Sequence, residues 1–158
     1  GAWSQVLTTI GDQRTLATSL AGFADSMQKD GKSDLASSAY EALAKYTSQL
    51  IGQSWTLVDE LAALATKKKA LGGLLVAQQS LEQNARVAVT QFSLGEIEDR
   101  VSWIRDITSR MSASGEAYAQ ANAKSDDDLA AYYDNVLKYG EAKAVEMALR
   151  SLDAGTSK

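Results

Sequence analysis

Residues 34–69 read DLASSAYEALAKYTSQLIGQSWTLVDELAALATKKK, and the stretch contains no proline. Its apolar side chains recur at intervals of three, four or seven residues: Leu35, Ala39, Leu43, Tyr46, Leu50, Leu57, Leu61 and Leu64. This spacing places them on one face of an α-helix, because a helix turns once in about 3.6 residues. We therefore predict a single amphipathic helix over 34–69, about 54 Å long.

The whole chain of 158 residues has no proline, no cysteine and no histidine. Proline interrupts helices and marks turns, so its absence favours long helices joined by short connections. Apolar residues make up 45% of the chain and charged residues 23%, which is the balance of a folded globular protein. We predict an all-α fold in one domain over residues 1–158.

Three further amphipathic segments flank the central one. The first runs over about 3–29 and ends at a polar turn around Gly31. The third begins near residue 74, after the glycine pair Gly72-Gly73, and extends to about 123; the last covers 126–152. The expected fold is an elongated antiparallel bundle of four main helices, of which the second and third are the longest.

Two positions leave the helix count open. Ser93-Leu94-Gly95-Glu96 matches the S-x-x-E capping box, and a turn there divides the third segment and gives five helices. No polar cluster typical of a loop surrounds this motif, which favours one continuous helix. Gly140 interrupts the last segment, and we predict that it marks a bend or a close crossing of two helices.

Catalytic and metal chemistry lack their usual residues in this chain. Without histidine there is no ordinary general base, and without cysteine there is no thiol nucleophile. The di-iron sites of helical bundles need Glu-x-x-His motifs, which the chain does not contain. We therefore expect no enzymatic activity, no bound metal and no cofactor.

The expected partner is a protein. A net charge of −4 opposes binding to a phosphate backbone, so no nucleic-acid partner is expected. Unequal helix lengths leave part of an apolar stripe uncovered, which predicts a non-catalytic interaction or scaffold module that self-associates or docks to a helical protein. Because tryptophan is enriched in interfaces, we predict interface roles for Trp3, Trp55 and Trp103.

An alternative function is centred on Arg14, which interrupts the apolar stripe of the first segment. A guanidinium group that faces a helix interface holds a carboxylate through two hydrogen bonds. In length and helix count the chain resembles the extracytoplasmic four-helix sensor domains of bacterial chemoreceptors and sensor kinases. The resemblance implies that a small anionic ligand binds between helices at Arg14. The first segment is shorter than the second, whereas such sensors have long first and last helices.

A second alternative comes from residues 16–43. Phe23-Ala24-Asp25-Ser26-Met27, followed by a short polar turn and an apolar helix, resembles the entry to BAR-type helical dimers of the sorting-nexin kind. The resemblance implies a membrane-associated dimer. Such domains use a face rich in lysine and arginine against anionic lipid, and this acidic chain lacks one, so we do not expect membrane contact from this segment.

Overall fold

The computed structural model describes the backbone of residues 2–122 and 126–156, and the side chains of residues 12–109, 130–148 and 150. Within these residues the fold consists of six helices and contains no strand. The helices are α1 (Ala2–Lys29), α2 (Ser33–Gly52), α3 (Leu57–Ser80), α4 (Asn84–Asn122), α5 (Asp126–Tyr139) and α6 (Glu141–Thr156). The all-α helical fold predicted from the sequence is confirmed.

The chain divides into two compact units. Unit 1 comprises Gly1–Gly52 and Ala62–Glu98, and unit 2 comprises Gln53–Leu61 and Asp99–Lys158. Small side chains fill much of the core of unit 1, since Ala24, Ala36, Ala39, Ala70 and Ala77 are all buried there. The core of unit 2 includes Leu57, Ile104, Ile107, Ala144 and Val145. The single domain over 1–158 stays a prediction.

In unit 1, α1 and α2 pack against each other as an antiparallel pair. The N–H of Lys32 donates to the carbonyl of Met27 at 2.9 Å, and the N–H of Gly31 donates to that of Gln28 at 3.1 Å. This is the Schellman pattern, which closes a helix through a residue in the left-handed region. Gly31 has φ +75°, a conformation that glycine adopts without strain. The predicted turn at Gly31 is confirmed.

The helix predicted over 34–69 is interrupted. α2 ends at Gly52, and α3 begins at Leu57 behind Thr56, whose side-chain Oγ1 accepts the N–H of Asp59 at 3.1 Å. Thr56 is an N-cap, because its hydroxyl satisfies one of the amide donors left free at a helix start. The apolar spacing keeps the helical period across the break, so periodicity alone predicts one helix.

The turn predicted at Gly72-Gly73 is wrong, because α3 passes through both residues. A Cβ atom on Gly73 would overlap the ring of Tyr40 from α2, whereas one on Gly72 meets nothing within 4 Å. Gly73 thus allows the ring to lie directly against the backbone of α3. The chain reverses later, after Ser80.

Glu82 closes the turn between α3 and α4. Its N–H donates to the carbonyl of Gln79 at 3.1 Å, and the N–H of Gln83 donates to that of Gln78 at 3.0 Å. The pattern is again that of Schellman, but the left-handed position holds a glutamate with φ +55°. Residues other than glycine adopt this conformation at a cost of about 1–2 kcal/mol.

The structure also decides the two positions that the sequence left open, Ser93-Leu94-Gly95-Glu96 and Gly140. α4 continues without interruption through Ser93-Leu94-Gly95-Glu96, so the third segment is one helix, although it begins at Asn84 rather than at residue 74. Gly140 has φ +86° and separates α5 from α6, which pack against each other. The interruption predicted at Gly140 is present as a break between two helices, so the single helix predicted over 126–152 is wrong.

Alanine substitutions of the adjacent glycines are expected to change stability in opposite directions. Gly73→Ala places a methyl group against Tyr40 and should lower the free energy of unfolding by about 1–3 kcal/mol. Gly72→Ala places its methyl group in open space within a helix and should raise that free energy by about 0.5–1 kcal/mol. Urea unfolding followed by circular dichroism measures both, and shifts in the same direction would contradict the contact.

Glu82→Gly is expected to raise the free energy of unfolding by about 0.5–1 kcal/mol, because glycine removes the strain of the left-handed backbone. The matched control is Glu96→Gly in the exposed interior of α4, which should lower it by about 1 kcal/mol. Thermal and urea unfolding of both variants provide the comparison. A loss of stability in Glu82→Gly would mean that the glutamate side chain contributes more than its backbone strain costs.

Candidate interaction surface

Tyr40 joins three helices of unit 1. Its hydroxyl donates a hydrogen bond of 2.5 Å to Oδ1 of Asp25 on α1, and its ring packs on Gly73 of α3. Burial, this hydrogen bond and the charge of Asp25 raise the pKa of Tyr40 to about 12. All three disfavour the phenolate, so Tyr40 stays a neutral hydrogen-bond donor. This one side chain fixes α2 to both α1 and α3.

A groove of about 480 Å³ opens between α2, α3 and α4 in unit 1. Four buried residues form its floor: Leu71, Leu74, Gln78 and Thr90. The hydroxyl of Thr90 donates to Oε1 of Gln78 at 2.7 Å, which gives both atoms a partner away from water. Apart from this hydrogen-bonded pair, the floor is apolar.

α4 forms one wall of the groove and carries a second apolar face. Ala85 and Val89 line the groove, and Phe92 follows at the next helical interval. Val89 is 66% exposed and Phe92 is 68% exposed, whereas Thr90 and Ile97 of the same helix are buried. We call Ala85, Val89 and Phe92 the α4 stripe. It faces solvent although its composition is that of a core.

Charged side chains border the groove and the α4 stripe. Glu41 of α2 and Arg86 of α4 lie at the edges of the groove, and Glu96 follows Phe92 by one helical turn. All three residues are exposed. The surface thus has an apolar middle and a charged border, which is the arrangement found in protein–protein interfaces.

The residues predicted from the sequence lie in other places. Arg14 is exposed on α1, and Trp3 belongs to α1 with a side chain that lies outside the described residues. In unit 2, Trp55 is 49% exposed and Trp103 is half-buried. The three of these residues whose side chains are described, Arg14, Trp55 and Trp103, do not line the groove. Their ligand and interface roles stay predictions.

Trp103 belongs to a charged cluster within unit 2. Arg100 donates from Nε to Oε1 of Glu60 at 2.6 Å and from Nη2 to Oε2 at 3.2 Å. The guanidinium carbon also lies 4.3 Å from the centre of the Trp103 ring, in a cation–π contact. Glu60 is only 8% exposed, so its charge needs a partner of this kind. The guanidinium group of Arg100 and the carboxylate of Glu60 are hydrogen-bonded to each other, which fits a structural role.

The carboxylate of Glu141 caps the N-terminus of α3 within unit 2. Its Oε2 accepts the N–H of Leu57 at 3.1 Å, and its own N–H donates to the carbonyl of Trp55 at 3.0 Å. A carboxylate at a helix N-terminus is stabilised by the helix dipole and by the free amide donors. Trp55 thus has a structural role through its backbone, while its side chain remains half exposed.

Helical periodicity alone does not identify Val89 and Phe92 as surface residues. Apolar side chains at helical spacing predict burial, whichever face of the helix they occupy. The available signal is a change of phase: Ala85 and Phe92 belong to one apolar stripe of α4, and Ile97 begins another. Two stripes on one helix indicate two packing partners, of which unit 1 supplies one.

Neither a metal cluster nor a membrane-spanning helix is found among the described residues. Among them, no group of three or more acidic side chains is placed to hold a metal ion. No helix in the described ranges is both long enough and apolar enough to cross a membrane. Comparisons with protein-family models, curated proteins and solved structures find no match to this chain.

The free energy of unfolding is expected to fall with rising pH because of Tyr40. The unfolded chain releases the phenol proton near the ordinary pKa of about 10, whereas the folded protein releases it near about 12. Between these values the unfolded chain binds fewer protons, so stability falls as the pH rises and levels off above the folded pKa.

Tyr40→Phe isolates this effect, since the stability difference between wild type and variant should shrink across that pH interval. Asp25→Asn keeps the phenol but removes the carboxylate charge, so it should show a shallower fall than the wild type. Urea unfolding at several pH values measures all three proteins. An unchanged slope in Tyr40→Phe would contradict the assignment.

Proposed function

We propose that this protein is a non-catalytic interaction module that binds an amphipathic α-helix across the groove and the α4 stripe of unit 1. The observation that supports the proposal is the exposure of Val89 and Phe92 beside a groove with an apolar floor. Large apolar side chains grouped on a surface are typical of interaction sites. A helix with apolar residues at i, i+3 or i+4, and i+7 has the matching chemistry.

Burial of the α4 stripe supplies the free energy for such a complex. Complete transfer of a large apolar side chain out of water contributes about 1.5–3 kcal/mol. Phe92 and Val89 are each more than half exposed, so most of this gain is available on binding. The small side chain of Ala85 lets a partner helix approach closely, within the usual interaxial distance of about 8–10 Å.

Charges at the border set the orientation of the partner. Glu41 and Arg86 have opposite signs and lie at the edges of the groove. A helix with complementary charges binds in one direction, because the reversed direction brings like charges together.

The other two functions predicted from the sequence gain no support from this surface. Arg14 is exposed on α1 and takes no part in the groove, so the sensor for a small anion stays a prediction. The BAR-like membrane dimer also stays a prediction.

Phe92→Ser tests the proposal, with Phe23→Ser as the matched control. Phe23 is a phenylalanine on α1 that is 50% exposed and does not line the groove. Peptides selected from a helical display library against the wild type should carry apolar residues at helical spacing. They should bind Phe92→Ser at least about tenfold more weakly, as expected for loss of a central aromatic contact. Their affinity for Phe23→Ser should be unchanged in fluorescence polarisation.

Amide shifts in NMR spectra locate the bound peptide. We expect the largest shifts around Leu74, Gln78 and Val89, which line the groove. Equal affinity for Phe92→Ser and wild type, or shifts confined to other parts of the chain, would show that the proposal is wrong.

A further inference from the structure

We propose that the helix bound on this surface is α4 of a second copy of this chain, which lies antiparallel across the α4 stripe. The inference rests on the proposed function and commits it to one partner. The order of charged and apolar residues between Arg86 and Glu96 of α4 supports it, because this stretch is complementary to itself when one copy is reversed.

Two pairs of residues on α4 share nearly the same midpoint. Val89 and Phe92 are centred between residues 90 and 91, and Arg86 and Glu96 are centred on residue 91. In an antiparallel pair with a two-fold axis near this point, Val89 of one copy lies opposite Phe92 of the other. Arg86 lies opposite Glu96 of the second copy. A single two-fold axis therefore brings the members of the apolar pair and of the charged pair together at the same time.

The charged pair meets at one level along the helices. Arg86 and Glu96 each lie about five residues from the axis, which is about 7.5 Å along α4. Both are exposed, and the two-fold symmetry forms the pair twice in each dimer. Ala85 and Ala88 are small and exposed, so the two backbones can approach closely.

In this dimer the ring of Phe92 from the second copy packs at the groove. That ring lies over Val89, which is itself a wall of the groove, next to the floor formed by Leu74 and Gln78. A phenylalanine buries about 150–250 Å² of surface when a partner covers it. The groove beside this ring has a volume of about 480 Å³. Each copy supplies one ring and one groove, so the two-fold interface uses the same surface on both copies and gives a closed dimer.

Charge reversal at two positions tests this register. Arg86→Glu or Glu96→Arg alone places like charges opposite each other twice in each dimer. Either should weaken dimerisation by about tenfold at low ionic strength. The double variant Arg86→Glu/Glu96→Arg restores opposite charges, so its dissociation constant should lie within about threefold of the wild-type value. Sedimentation equilibrium measures the constants, and circular dichroism confirms that each variant is folded.

Two controls separate the pair from general charge effects. Arg14→Glu makes the same change of charge at an exposed position of α1, outside the α4 stripe, and should leave dimerisation unchanged. High salt should bring the single variants closer to the wild type, because salt screens exposed charges.

A double variant as weak as the single ones, or single variants that dimerise like the wild type, would overturn this register. If the wild-type chain stays monomeric at about 1 mM, the proposal that a second copy is the partner is wrong. If selected helical peptides still bind in a Phe92-dependent way, the proposed function survives that result. If neither a second copy nor a selected peptide binds through Phe92, both proposals fail.

Discussion

The contact between the ring of Tyr40 and the backbone of α3 at Gly73 is the constraint on which unit 1 depends. The ring occupies the space that a Cβ atom would need, so any other residue at this position makes the ring or its helix shift. The hydroxyl of the same side chain is held by Asp25 of α1. One residue thus fixes three helices, and the groove floor at Leu71 and Leu74 lies within one turn of that contact on α3.

Unit 2 also uses a glycine at a close approach, with backbone groups in place of a ring. A Cβ atom on Gly140 would lie 3.4 Å from the carbonyl of Trp55, and Glu141 binds that same carbonyl through its N–H. The carboxylate of Glu141 then completes the start of α3 at Leu57. In a chain without proline, glycine marks places where backbones come close as well as places where helices end.

The proposed interaction surface exists because α4 has two apolar faces and unit 1 covers only one of them. Thr90 and Ile97 lie inside, while Val89 and Phe92 face solvent. An exposed apolar group of this kind favours association, and the charged residues at its border give that association a direction.

The all-α fold, the turn at Gly31 and an interruption at Gly140 were determined by the sequence itself. They depend on local properties: the absence of proline, the helical period of apolar residues and the freedom of glycine to adopt positive φ. Only the tertiary structure decided that Gly73 lies inside a helix and that Phe92 is exposed while Ile97 is buried. The physical reason is that burial depends on which distant helices pack together, and the helical period is the same for a covered face and for an uncovered one.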